Sequence, residues 1–235
     1  PDINDFVSGF SILLKPSGVV TFEFPHLLRM IEEIQFDTIY HEHFSYLSLY
    51  TVSRIFAAAG LRIFDVERLP THGGSLRIYG GHAADDRPPA SAVAAILAEE
   101  AASGLQTQAG YTTLAAGAGR IKNALVSFLI GQKSAGKKVV AYGAAAKGNT
   151  LINYAGIKPD LLAYVCDEAA SKQGKFLPGS RIPIVGPAEL QKDRPDVVLI
   201  LPWNIANEVM SRHGYIRQWG ARFAVAVPEM KILEG

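Results

Sequence analysis

The sequence predicts an α/β fold in two successive parts. Runs of β-branched and aromatic residues alternate with segments of helical periodicity along most of the chain. The composition also changes at residues 83–90, where "AADDRPPA" is typical of a linker. With 235 residues, of which 49% are hydrophobic and 19% charged, the chain is long enough for a substantial core. We therefore predict one domain over residues 1–82 and another over residues 83–235.

The first part is predicted to be helix, strand, two helices and a hairpin. Five apolar residues recur at helical spacing at the start: Ile3, Phe6, Val7, Phe10 and Leu13. A strand "VVTFEFP", a short helix "LLRMIEEIQ" and a helix "TVSRIFAAAG" that stops at Gly60 come next. Two alternating runs joined by "THGG" predict an antiparallel hairpin. This order resembles the way in which many methyltransferase folds complete their seven-stranded sheet, and the resemblance implies that residues 1–82 are the second half of a class I methyltransferase-like sheet.

The second part is predicted to be a Rossmann-like domain preceded by linking helices. Two alanine-rich helical segments cover roughly residues 90–104 and 111–134. Four apolar runs then alternate with helical segments: "KKVVAYG", "LLAYVCD", "DVVLILP" and "ARFAVAV". Strands that alternate with helices favour parallel pairing with right-handed crossovers.

Charge and cysteine content exclude several classes of function. A formal net charge of +1 without a long run of like charge gives no support for a nucleic-acid or membrane-surface partner. The single cysteine, Cys166, excludes an intramolecular disulfide and a cysteine-rich zinc site, so we expect a cytoplasmic protein. The apolar runs are shorter than the ~20 residues of a membrane helix. The opening "PDINDFVSGF" reads as a helix already under way, so we expect a piece of a longer protein; the oligomeric state stays open.

A glycine-bearing turn in "VVAYGAAAKGNT" is a candidate anion site. Gly143 and Gly148 let backbone amides approach an anion at a helix N-terminus. The dinucleotide fingerprint GxGxxG is incomplete, because Ala145 stands where its second glycine would be. Lys147 and Asn149 then predict contact with a phosphate or diphosphate. The alternative is a tight turn whose glycines serve packing alone.

Three further positions extend this candidate site. Asp167 ends the next predicted strand, where dinucleotide-binding folds place a ribose-binding acid. Lys172 opens a basic loop, "SKQGKFLPGSR", which either closes over phosphates or is simply solvated. Trp203 and Asn204 follow the strand "DVVLILP", at the strand end where open α/β sheets bind ligands. Trp203 either stacks on a base or sugar or covers the core.

The stretch "YHEHFSY" concentrates groups that handle protons. Histidine has a pKa suited to a general base, a neighbouring carboxylate orients it, and a tyrosine hydroxyl stabilises an oxyanion. His43, Glu42 and Tyr40 supply these roles, provided the stretch is a turn or loop, since strand neighbours point to opposite faces. Two alternatives remain: His41 and His43 as metal ligands without an evident third, or an aromatic-rich structural connection.

Three motifs, "IYHEHFSYLS", "HGGSLRIY" and "GAAAKGNTLIN", resemble in order and spacing those of sugar C-methyltransferases that act on nucleotide-linked keto-deoxysugars. The resemblance covers nearly the whole chain. It implies a zinc-binding N-terminal domain, a central S-adenosylmethionine domain and a C-terminal Rossmann-like domain that helps hold the nucleotide sugar. The glycine-rich S-adenosylmethionine loop and zinc cysteines are missing from the 235 residues, so we expect the chain alone to be inactive and to carry no metal.

The resemblance also implies roles for individual residues. From the Tyr-x-Glu-His pattern, His43 paired with Glu42 would remove the proton beside the ketone, and Tyr40 would stabilise the enolate that takes the methyl group. The resemblance also implies that His72, Ser75 and Arg77 lie beside the substrate at the hairpin, and that Lys147, Asn149 and the amides around Gly148 face the nucleotide diphosphate. Gly143, Asp167, Lys172, Trp203 and Asn204 are predicted to contact the substrate from their positions at the glycine turn and the strand ends. The hairpin residues are equally suited to a purely structural turn.

Two rival functions remain open at this stage. One is a non-catalytic nucleotide-sugar binding module in which the Tyr-His-Glu-His stretch is structural. The other is an NAD-dependent oxidoreductase built on residues 137–235, against which the missing glycine at Ala145 counts.

Overall fold

The computed structural model describes residues 2–234, which divide into two compact units. The first unit comprises the residues up to Glu33 together with Glu42–Leu114. The second comprises Ile34–His41 together with the residues from Ala115 onward. The structure is mixed α/β, as the sequence predicts.

The first unit contains four helices and three strands among its described residues. In chain order these are α1 (Ile3–Leu13), β1 (Val20–Pro25), α2 (Leu27–Glu32), α3 (Leu49–Ala58), β2 (Leu61–Leu69), β3 (Ser75–His82) and α4 (Ser91–Ala102). The strands form an antiparallel sheet in the order β1-β3-β2. The predicted hairpin is therefore confirmed, and its second strand lies between its first and β1.

Local signals explain where the helices of the first unit begin and end. Asp2 caps α1, because its Oδ1 accepts the amide of Asn4 over 2.8 Å. Ser48 caps α3, because its hydroxyl oxygen accepts the amide of Thr51 over 3.1 Å. Gly60 follows α3 with φ of +72°, as expected for a glycine that ends a helix. Helix α2 ends at Glu32, which is shorter than predicted.

The core of the first unit lies between its sheet and helices α1, α3 and α4. Its largest fully buried members are Leu49, Phe56, Leu61, Leu76 and Ile78. Helix α4 packs on β2 within this unit, so the compact unit extends beyond the predicted boundary at residue 82.

The second unit is a Rossmann-like arrangement around one sheet. Its regular elements are α5 (Thr112–Ser134, whose first three residues belong to the first unit), β4 (Val139–Tyr142), α6 (Ala146–Ala155), β5 (Val165–Cys166), β6 (Ile184–Val185), α7 (Ala188–Asp193), β7 (Val197–Ile200), α8 (Ala206–Arg212), β8 (Arg222–Val225) and β9 (Lys231–Leu233). The strand order is β6-β5-β4-β7-β8-β9, parallel except for the last pair. Neither β6 nor β9 is predicted from sequence. Across the described residues, no helix is both long and apolar enough to cross a membrane.

The strand order reverses at β4, and we call the region outside the carboxyl ends of β4 and β7 the crevice. The chain leaves β4 for β5 on one side and returns to β7 on the other side of β4. In open α/β sheets, ligands bind outside the carboxyl ends of strands at the point where the order reverses. The residues after β4 and β7 therefore occupy the position expected of a binding site.

Candidate active site and strand-end crevice

The Tyr-His-Glu-His stretch lies in turns and irregular structure, not in a strand. Tyr40 follows the 3-10 helix Phe36–Thr38 and belongs to the second unit, whereas Glu42 and His43 belong to the first. Glu42 is exposed and His43 is half-buried. Neighbouring side chains such as Glu42 and His43 can act together only if the stretch is a turn or loop, and this condition is met.

His43 lines a pocket of about 270 Å³ in the first unit. The pocket is bounded by Glu23, Phe24, Pro25, His43, His72 and Ser75. Three of these, His43, His72 and Ser75, are predicted site residues, and His43 lies 29 and 32 positions before the other two. The structure therefore brings the hairpin turn and His43 together.

Arg77 acts on this pocket through Glu23. The two residues face each other across β3 and β1, and Arg77 Nη2 donates to Glu23 Oε2 over 2.8 Å. Thr71 donates a second hydrogen bond to Glu23, and together these bonds lower the pKa of the Glu23 carboxyl. Arg77 does not line the pocket; it holds an ionised carboxylate that does.

His72 and Ser75 are placed by the geometry of the hairpin turn. His72 is exposed and adopts a φ of +57°, and it is followed by Gly73 and Gly74, both with positive φ. The hydroxyl of Ser75 donates to the carbonyl of Thr71 over 3.0 Å, which closes the turn. The turn thus has a structural role and also presents His72 at the pocket.

In the second unit, Lys147 lies at the crevice after β4 and β7. Its Nζ donates to Asn204 Oδ1 over 2.7 Å and lies 4.6 Å from the ring centroid of Trp203. Burial lowers the pKa of Lys147, while the charge of Asp37 opposes that shift. Lys147, Trp203 and Asn204 therefore form one cluster at these strand ends.

Asp37 belongs to the same cluster and was missed in the sequence. Its Oδ2 accepts the indole N–H of Trp203 over 2.8 Å, and the side chain is fully buried. Burial raises the pKa of Asp37 to about 6. The sequence gives no signal for this contact, because its partner lies 166 positions away.

The two glycines of the turn are required by packing. Gly143 has φ of +91°, and a Cβ there would lie 2.4 Å from Pro202 Cδ. A Cβ on Gly148 would lie 2.7 Å from the Cβ of Leu201. The glycines thus let the turn and α6 approach the end of β7, and so set the shape of the crevice.

Asn149 is placed in the first turn of α6. Its backbone amide donates to Ala145 O over 3.0 Å, and its side-chain Oδ1 is buried without a hydrogen-bond partner among residues 2–234. In the same part of the chain, no side chain caps the N-terminus of α6. These groups leave hydrogen-bonding capacity at the helix start.

Asp167 and Lys172 hold the glycine turn from the other side. Asp167 Oδ2 accepts the amide of Ala144 over 2.8 Å and Lys172 Nζ over 3.1 Å, while its Oδ1 accepts the amide of Ala169. Lys172 also donates to the carbonyl of Ala144. Both oxygens of the predicted ribose-binding acid are therefore engaged by its own loops.

Neither a metal centre nor a reactive thiol is found in the described residues. Within residues 2–234, no group of three or more His, Cys, Asp or Glu side chains is placed to hold a metal ion. Cys166 is buried, and burial raises the pKa of its thiol to about 12. The thiol is therefore protonated at neutral pH and is a poor nucleophile.

Comparison with known proteins defines the class to which this α/β chain belongs. Residues 70–228 match the family model of the C-methyltransferase C-terminal domain, so the chain belongs to this C-methyltransferase family. It is similar to the C-methyltransferase NovU of Streptomyces niveus, with 38% identity over 233 residues. The alignment covers 99% of this chain and 56% of that relative, so the chain spans about half the length of the curated relative it matches.

Proposed function

We propose that the chain is the C-terminal part of an S-adenosylmethionine-dependent C-methyltransferase that acts on a nucleotide-linked keto-deoxysugar. The observation that carries this proposal is the pocket that His43 shares with His72 and Ser75. Family membership supports the transfer of a methyl group to carbon. We also propose a cytoplasmic enzyme, because its one cysteine is an unpaired buried thiol.

The proposed chemistry begins with removal of a proton from the carbon beside the ketone. His43 accepts this proton, since a neutral imidazole is a base at physiological pH. Glu42, its neighbour in sequence, orients the ring and stabilises the imidazolium. Tyr40 donates a hydrogen bond to the enolate oxygen. The pocket side chains His72 and Ser75 supply polar groups that bind the sugar hydroxyls.

S-adenosylmethionine would supply the methyl group as an electrophile. The described strands of the first unit do not carry a glycine turn suited to it: β1 leads directly into α2 through His26, which lies 2.8 Å from Glu100. We therefore assign none of the described residues to the cofactor. The steps proposed for this chain are binding of the sugar nucleotide and proton removal.

The nucleotide diphosphate is proposed to bind in the crevice of the second unit. Lys147 carries a positive charge, and the side chain that accepts its hydrogen bond, Asn204, is neutral. The start of α6, with Gly148 and Asn149, adds backbone dipoles that favour an anion. Trp203 offers an aromatic ring beside the lysine. An anion bound at this position would give Lys147 a direct partner of opposite charge.

The oxidoreductase alternative is disfavoured by Ala145, which stands where the second glycine of the dinucleotide fingerprint is required. Asp167 Oδ2 accepts two hydrogen bonds, from Ala144 and Lys172, so this carboxylate holds the glycine turn in place. The binding-module alternative differs from our proposal in the role of His43, and substitution of His43 separates the two.

Calorimetric titration of this chain tests the proposal directly. We expect deoxythymidine diphosphate to bind, and NAD and S-adenosylmethionine not to bind. Lys147→Ala should weaken binding of the diphosphate by about 1–3 kcal/mol if the lysine makes a charge-assisted contact. Lys158→Ala is the matched control, because Lys158 lies beyond the other end of α6 and donates to Gly179 O. Binding of NAD instead would favour the oxidoreductase, and equal losses in both variants would mean non-specific attraction.

A further inference from the structure

The segment Ile34–His41 is anchored to the second unit at its start by a strained residue. Ile34 has φ of +50°, a left-handed conformation that is costly for a β-branched side chain. Its side chain covers Gly117 of α5, where an added Cβ would lie 2.6 Å from Ile34 Cδ1. The ring of Phe36 packs on Tyr154 of α6, with centroids 5.1 Å apart. A strained backbone conformation persists only where the surrounding packing stabilises it, so the packing of Ile34 and Phe36 fixes the beginning of the segment.

Asp37 is the polar anchor of the same segment. Its carboxyl is fully buried, and Oδ2 accepts the Trp203 indole N–H. Oδ1 has no hydrogen-bond partner in the part of the chain that the structure describes. A buried carboxyl with one unsatisfied oxygen costs free energy, and a leucine would fill this space at lower cost. Stability alone therefore does not explain a hydrogen-bond acceptor at this position.

The bond to Asp37 connects the segment to the nucleotide crevice. Trp203 contacts Asp37 through its indole N–H and Lys147 through its ring face. Lys147 in turn donates to Asn204. A diphosphate that attracts the Lys147 ammonium changes the contacts on the indole ring. Hydrogen-bonded and packed groups that touch in series are the usual carriers of such coupling.

Tyr40 follows Asp37 by three residues in the same segment. Three residues of chain span at most roughly 10–11 Å, so the anchor at Asp37 limits where Tyr40 can lie. We propose that Asp37 is a positioning residue that couples occupation of the crevice by a nucleotide diphosphate to the placement of Tyr40. This inference rests on the proposed function of the crevice, and it adds a role for a residue outside the Tyr-x-Glu-His motif.

Spectroscopic signals from the two ends of the contact chain test the coupling in this 235-residue protein. The indole N–H resonance of Trp203 reports on the crevice, and Trp219→Phe assigns it, since the chain has two tryptophans. Incorporated 3-fluorotyrosine reports on Tyr40, which Tyr40→Phe assigns. We expect deoxythymidine diphosphate to shift both signals in the wild-type chain. In Asp37→Ala the Trp203 signal should still respond to the ligand, while the Tyr40 signal should not.

Asp37→Asn is the matched variant, because an amide oxygen still accepts the indole N–H. It should retain the response of Tyr40, and this result also shows whether the bond or the charge carries the coupling. A Tyr40 response that survives in both Asp37→Ala and Trp203→Phe would overturn the coupling. A Trp203 signal that shifts without Tyr40 in the wild type would also overturn it, yet leave the proposed function intact. If neither signal responds, the crevice does not bind the diphosphate and both proposals fall.

Kinetics in an active enzyme that carries this sequence provide a second readout. Trp203→Phe keeps a ring for Lys147 but removes the N–H, so misplacement of Tyr40 should lower kcat about 10- to 100-fold. The KM for the sugar nucleotide should change much less, because the charged contacts remain. Asp37→Asn should restore most of the kcat that Asp37→Ala loses. A loss confined to KM would overturn the positioning role.

Discussion

The imidazole Nε2 of His26 lies 2.8 Å from Oε1 of Glu100, and both side chains are almost completely buried. The same carboxylate accepts the amides of Leu49 and Tyr50, the first two residues of α3. Glu100 therefore caps α3 from a different helix, α4. Because α3 begins a few residues after His43, this buried group also fixes the chain on one side of the candidate active site.

Glu100→Ala should strongly destabilise the chain. The substitution removes the acceptor of two helix amides and leaves the buried His26 without its partner, which typically costs about 3–5 kcal/mol. Urea unfolding followed by circular dichroism measures this loss. Glu99→Ala is the matched control: Glu99 pairs with Arg29 and Arg68 near the surface, where ion pairs contribute about 0–1 kcal/mol. Similar unfolding free energies for the two variants would contradict the role of Glu100 as a cap.

Local patterns were sufficient to predict most of the regular structure. The hairpin strands β2 and β3 alternate in polarity and flank a glycine turn, and β4 and β7 are continuous apolar runs before turn residues. In contrast, β6 and β9 contain two and three residues. Such short strands exist only because neighbouring strands supply their hydrogen-bond partners, so no local period marks them.

The candidate sites were predictable to the extent that residue type reveals chemistry. His43 stood out because it lies among two tyrosines, a glutamate and a second histidine, and Lys147 because it lies between the glycines of a strand-to-helix turn. Asp37, Glu23 and Glu100 did not stand out, since their roles arise from partners 54 to 166 positions away. Asp167 has a structural role that the sequence did not indicate, because its carboxylate accepts the amides of Ala144 and Ala169.

Asp37→Asn should change how stability depends on pH. The pKa of Asp37 is raised from 3.8 to about 6, so the folded state binds more protons than the unfolded state between these values. The pKa shift of Asp37 therefore contributes about 3 kcal/mol to the free energy of unfolding below about pH 4. This contribution is lost as the pH rises through about 6. Asparagine keeps the bond to Trp203 without ionising. In unfolding measurements, the free energy of unfolding of the variant should rise relative to that of the wild type as the pH increases from 4 to 7. If the difference between the two did not change with pH, the raised pKa would be contradicted.

His43→Ala should abolish most methyl transfer in an active enzyme that carries this sequence. Loss of a general base typically costs ~10²–10⁴-fold in rate, whereas binding of the nucleotide should be nearly unchanged. Single-turnover kinetics with the keto sugar nucleotide separate these effects. His41→Ala is the matched control, because His41 is exposed and does not line the pocket. An unchanged rate in His43→Ala would favour the non-catalytic binding module, and equal losses in both variants would assign the effect to the loop.

Gly143→Ala should lower both the stability of the chain and its binding of ligand at the crevice, whereas Gly156→Ala should lower stability only slightly. Gly143 and Gly156 flank α6, and both have positive φ, +91° and +70°, so alanine is strained at either. Nothing lies within 4 Å of a Cβ at Gly156, so that variant should lose only about 1 kcal/mol.

At Gly143 the new methyl group would meet Pro202, and the backbone of the turn must shift to admit it. We expect an additional loss of about 1–3 kcal/mol from overpacking. Because Pro202 precedes Trp203, the shift should also weaken binding of deoxythymidine diphosphate, which calorimetry measures beside thermal unfolding. If Gly143→Ala and Gly156→Ala lost equal stability and bound the ligand equally, the close approach of the turn to the end of β7 would have no part in shaping the site.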